Sequence, residues 1–102
     1  MQISNAILVC SSNSVYLESL STILDFIGET VITSNSIKEL EALIVGQETI
    51  YRSIIIDHQV SNFNESLITE LPKQPFLIVG DDVGHLANNY PNVIGALPYE
   101  VK

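Results

Sequence analysis

The segment Ala6-Ile7-Leu8-Val9-Cys10, running directly into Ser11-Ser12-Asn13-Ser14, decides how this chain is read. A short, uninterrupted apolar run marks a strand with both faces buried, as at the centre of a parallel sheet. The hydroxyl- and amide-rich stretch after it offers side-chain oxygens that can cap a helix N-terminus. Tyr16, Leu20, Ile23, Leu24 and Ile27 then recur at three- and four-residue spacing, giving one apolar stripe of a helix. Gly28 ends that helix as the left-handed residue past its last turn. Strand, polar turn and helix together make the first half of a βα repeat.

The repeat continues along the chain. Thr30-Val31-Ile32-Thr33 reads as a second strand. Ser36-Ile37-Lys38-Glu39 matches a capping box, which opens a helix with Ile37, Leu40 and Ile44 inward that ends by Gly46. Ser53 to Asp57 is a third strand, and Asn64 to Leu71 a short helix closed by Pro72. Phe76-Leu77-Ile78-Val79 is a fourth strand. Val83, Leu86, Ala87 and Tyr90 mark a weak fourth helix, and Val93 to Leu97 a fifth strand. This alternation predicts one α/β domain over residues 1–102, with five parallel strands in the order 2-1-3-4-5 and right-handed crossovers. A fifth helix, usual after the fifth strand of such folds, is not visible before Lys102.

Composition narrows the function classes. The chain has 102 residues, 46% hydrophobic, and a formal net charge of −8. Its basic residues are Lys38, Arg52, Lys73 and Lys102, too few and too scattered to hold a phosphate backbone, so direct nucleic-acid binding is not expected. No apolar run approaches the roughly 20 residues of a membrane span. Met1 to Asn5 contains no basic residue, which argues against a signal peptide and makes the cytoplasm the expected location. A single cysteine, Cys10, excludes an internal disulfide and a cysteine-based zinc site. His58 and His85 lack metal-site spacing, and the Asp81-Asp82 pair reads as a solvated loop.

The strand ends carry whatever chemistry there is: Ser11 and Ser12 after the first, Asp57 at the third, Gly80 after the fourth, Leu97-Pro98 at the fifth. Ile7-Leu8-Val9-Cys10-Ser11-Ser12, with a helix ending in Phe26-Ile27-Gly28-Glu29-Thr30-Val31, resembles the opening of a bacterial response-regulator receiver domain, a flavodoxin-like three-layer sandwich. More narrowly, Leu20 to Glu29, Pro75 to Asp81 and Val93 to Pro98 resemble the N-terminal domain of the flagellar master regulators FleQ and FlrA. That resemblance implies an atypical receiver that precedes an AAA+ ATPase acting on sigma-54 RNA polymerase and a helix-turn-helix domain. No Walker motif is present in these 102 residues.

Against a working receiver, this pocket keeps only its phosphoacceptor position, Asp57. Mg²⁺ wants anionic or strongly polar oxygen ligands, and Ser11 and Ser12 stand where a receiver has an acidic pair. Gly80 replaces a hydroxyl residue and Leu97 a lysine, so transfer of a phosphoryl group would go uncompensated. The expected function is therefore phosphorylation-independent regulation through protein contacts, without catalysis or cofactor. A homodimer is expected, with Leu86, Tyr90 and Tyr99 as contact candidates from the resemblance.

Other readings compete, among them a weakly active phosphoreceiver that still uses Asp57. Cys10 at a strand end before a helix also resembles the phosphocysteine site of sugar-transport enzyme IIB proteins, and a helix N-terminus lowers thiol pKa values. However, Ser11 to Ser14 contains no glycine to let backbone N–H groups close around a phosphate. A tyrosine-phosphatase C-x₅-R spacing fails at Tyr16, and a flavin site lacks tryptophan and a glycine-rich loop.

Overall fold

The computed structural model describes residues 2–45, 49–60, 63, 65–80 and 83–97. Its elements in chain order are β1 (Gln2–Ile3), β2 (Ile7–Cys10), α1 (Ser14–Phe26), β3 (Val31–Ser34), α2 (Ile37–Val45) and β4 (Thr49–Ile50). They continue with β5 (Ser53–Asp57), α3 (Ser66–Glu70), β6 (Phe76–Val79), α4 (Gly84–Asn89) and β7 (Val93–Leu97). The main sheet is fully parallel, in the order β3-β2-β5-β6-β7. Counting its own strands only, this is the expected 2-1-3-4-5. Two short strands lie outside that expectation: β1 pairs with β4, and Ser4 N donates to Ile50 O. Two-residue strands have no periodicity to read, so only the fold reveals them.

Alternation along the strands divides the core. Leu8, Cys10, Ile54, Ile56, Phe76 and Ile78 face α2, α3 and α4 in the larger cluster. Ile7, Val9, Ile55 and Val79 face the other way, onto Tyr16, Leu17, Leu20 and Leu24 of α1. Both faces of the central strands are thus covered, which is why the strands are apolar without a break.

Local signals work as the sequence implies. Asn13 caps α1, its Oδ1 accepting from Val15 N and Tyr16 N at 3.1 Å each. Gly28 has φ +90°, and Gly28 N and Glu29 N donate to Asp25 O and Leu24 O, a Schellman ending. At the start of α2, Glu39 N donates to Ser36 Oγ. The expected end of that helix, Gly46, lies outside the described residues.

The inward stripe of α1 differs from the expected one. Ile23 and Ile27 are 60% and 64% exposed, Phe26 is 90% exposed, and Leu17 takes a place in the core. Among the described residues, α1 alone packs on its face of the sheet. Among the described residues, no neighbouring helix buries its flank carrying Ile23, Phe26 and Ile27.

At the N-terminal ends of the strands, Gln74 is buried and works as a backbone clamp. Its Oε1 accepts from Tyr51 N at 3.1 Å and its Nε2 donates to Thr49 O at 2.8 Å. Asn92 Nδ2 donates to Ile68 O and Leu71 O, holding the end of α3. Gln74→Leu would strand a buried donor and acceptor, an expected loss of about 2–4 kcal/mol in urea unfolding. Phe26→Ser, in contrast, is expected to change stability by no more than about 0.5 kcal/mol.

Candidate functional site

The register brings the polar strand ends together at the C-terminal edge of the sheet. Cys10 pairs with Ile56, Asp57 with Val79, and Val79 with Leu97. Ser11 continues from β2, and its N donates to Ser34 O at 3.2 Å, while Gly80 N donates to Leu97 O at 2.8 Å. Ser11, Asp57, Gly80 and Leu97 therefore converge at that edge. Pro98 lies outside the described residues, as do Tyr99 and the Asp81-Asp82 pair.

Asp57 is only 5% exposed, so its carboxylate needs partners within the protein. Ser11 Oγ donates to Oδ2 at 2.9 Å, and Gln59 N donates to Oδ1 at 3.0 Å. Ser11 Oγ in turn accepts from Asn13 N at 3.1 Å. A hydroxyl both gives and receives, so one serine links the buried acid to the turn that starts α1. Ser12, the second of the pair, is exposed. Among the described residues, no three His, Cys, Asp or Glu side chains are grouped to hold a metal ion.

His58 is the site residue that sequence reasoning missed. Its N donates to Val79 O at 2.9 Å, its Nδ1 lies 3.2 Å from the same oxygen, and its ring rests against Gly80. The signal was present in the pairing of a bulky residue after one strand with a glycine after the next, but adjacent strands had to be aligned to see it. Tyr16 of α1 is close enough to feel the site: burial raises its phenol pKa, and the Asp57 carboxylate adds to the rise.

The remaining candidates fare differently. Leu86 is 3% exposed and packs into the larger core, so it cannot serve as a surface contact; a helix this short turns its one large apolar residue to the sheet. Tyr90 is half-buried, and its hydroxyl donates to Glu65 Oε1 at 2.9 Å. That bond raises its pKa, since losing the proton would set two anions together. His85 is exposed on α4, away from any metal group among the described residues. A groove of about 520 Å³ lined by Ile44, Ile50, Leu71 and Gln74 sits at the opposite edge of the sheet from Asp57.

Cys10 is fully buried, with Sγ donating to Ser36 O at 3.6 Å. Burial pushes its thiol pKa up; the carboxylates of Glu39 and Asp57 act in the same direction, and the Ser34 hydroxyl partly offsets them. A phosphocysteine enzyme needs the reverse, an accessible sulfur and a lowered pKa.

The family described as flagellar regulatory protein FleQ matches residues 6–101. No curated protein matches the chain. Among solved structures, a response regulator receiver domain protein from Clostridium thermocellum superposes with a TM-score of 0.79 at 20% identity, over 97% of this chain and 85% of that one. A response regulator from Burkholderia pseudomallei, solved with a phosphorylated aspartic acid, a calcium ion and citrate, gives 0.71 at 20% identity, over 97% of this chain and 62% of that one. The signal receiver domain of an HD domain-containing protein from Pseudomonas fluorescens Pf-5 gives 0.72 at 16% identity, over 92% and 74%. These likenesses establish the receiver fold. Among the described residues, no helix is long and apolar enough to cross a membrane.

The raised thiol pKa has a consequence for stability. Below the ordinary thiol value of 9.0, Cys10 is protonated in both folded and unfolded chains and its contribution is fully present. As pH climbs past that value toward the higher folded one, the unfolded chain releases the proton first and stability falls. Urea midpoints measured from neutral to alkaline pH should show this decline, and Cys10→Ala should flatten it.

Proposed function

This chain belongs to the flagellar regulatory protein FleQ family, and from that premise we propose that it is a phosphorylation-independent regulatory module of a sigma-54-dependent flagellar transcription activator. It works in the cytoplasm through protein–protein contacts, without catalysis and without a cofactor. The observation that carries this reading is the 2.9 Å hydrogen bond from Ser11 Oγ to Asp57 Oδ2. A hydroxyl of this chain stands where metal-binding chemistry would need an anion, and it engages the carboxylate directly.

The family membership supports a reading of the partners. In the parent regulator, the domain acts on the AAA+ ATPase and helix-turn-helix regions beyond these residues. With a net charge of −8, it leaves DNA to that other domain. We place a homodimer contact on the β7 side, where Ile94 and Leu97 are exposed and Tyr90 is half-buried. Leu86 has no part in it.

Two measurements test this. A ¹⁵N titration with Mg²⁺ and beryllofluoride, a phosphoryl mimic, should leave the amides of Ser12, Asp57 and Gly80 unmoved. In the parent regulator, Asp57→Ala should leave reporter output unchanged while deletion of the domain alters it. Saturable shifts that vanish in Asp57→Ala would return the domain to the phosphoreceivers. For the contact, sedimentation at high micromolar concentration should give a dimer that Ile94→Asp converts to monomer; a wild-type monomer would remove the homodimer from the mechanism.

A further inference from the structure

Gly80 sits in the buried floor beside Asp57 with φ +154°, and the space above its α-carbon is occupied. A Cβ built there would fall 2.8 Å from Cγ of the His58 ring and closer still to Nδ1 and Cε1. Heavy atoms do not approach so closely without displacement, so the rigid ring would have to turn as a whole about its χ angles to make room. The backbone N of His58 donates to Val79 O, and the ring Nδ1, as the N–H tautomer, can donate to the same carbonyl 3.2 Å away, which favours the observed ring position. Val79 is itself laddered to Asp57 and to Leu97, so the ring's support is the centre of the site.

We propose that the His58 imidazole is a fixed lid on the Asp57 pocket, filling the volume that a side chain at position 80 would take. The inference rests on the reading of the pocket as silent and adds what holds it closed. A hydroxyl at position 80, of the kind that would meet a phosphoryl oxygen, cannot enter while the ring is in place. The silence of the site is therefore enforced by shape as well as by missing carboxylates. Restoring chemistry by substitution at 80 requires removal of the ring first.

A double-mutant cycle tests the lid, because backbone strain at the positive φ is common to both backgrounds and cancels. Gly80→Ala should lower the melting temperature by roughly 10 °C in the presence of His58, for overlap of this kind in a domain of this size. In His58→Ala the same change should cost less than half as much. Equal losses in the two backgrounds would overturn the lid. If Gly80→Ala folds only in the His58→Ala background, that result also supports it. If it folds in neither, hydrogen exchange in His58→Ala alone decides. Gly80 and Gln59 amides exchanging at least about tenfold faster than in wild type support the lid, and unchanged rates sink it. Beryllofluoride shifts in the wild-type protein would overturn the silent-pocket reading instead, and the cycle would still judge the lid.

Discussion

β2 is hydrogen-bonded on both sides, to β3 and to β5, and its residues Ile7, Leu8, Val9 and Cys10 are all buried. A strand in that position must be apolar on both faces, because α1 lies on one and α2 to α4 on the other. Polar groups are then confined to the strand ends, where the chain turns into its helices. Asp57 is at such an end, yet it remains buried, so the surrounding loops must supply its hydrogen bonds. Ser11, which leaves the neighbouring strand at the same level, meets that need. The centre of the sheet thereby places the two residues on which the site is built.

Within the receiver fold, the same strand ends can be furnished for metal-assisted phosphoryl chemistry or for a static contact surface. Several close carboxylates repel one another and need a cation to coexist. One carboxylate with a serine hydroxyl on one oxygen and the Gln59 N–H on the other is satisfied by the protein alone. A site satisfied in this way has less to gain from a bound ion. His58 against Gly80 extends the same tendency, since its ring fills the place that a side chain at position 80 would take. In the proposed contact-driven reading, regulation depends on what the surface touches, and the exposed apolar residues of β7 and of the α1 flank are part of that surface.

Much of this was legible in the residues, for reasons that differ from element to element. The central strands were readable because burial on both faces leaves unbroken apolar runs such as Ile54-Ile55-Ile56 and Phe76–Val79. The edge strands β3 and β7 were readable because shorter apolar runs recur there in the same alternation with helices. The cap at Asn13 and the stop at Gly28 were narrowed by local hydrogen-bonding and backbone preferences. The stripe of α1 departs from its spacing at Ile23 and Ile27, because spacing shows which residues share a helix face and not what covers that face. Leu86, a contact candidate from the resemblance, lies instead in the core, because a helix as short as α4 turns its one large apolar residue to the sheet.

The sequence by itself determined the alternation of strand and helix, the parallel sheet that follows from it, and which residue types stand at each strand end. Those are consequences of periodicity and of side-chain chemistry, both carried residue by residue. Only the tertiary structure decided that Ser11, and not the exposed Ser12, bonds Asp57; that β1 and β4 pair; and that the His58 ring lies over Gly80. Each of those depends on the register between segments far apart in the chain. Register is set by how the whole set of faces packs, which no single segment encodes.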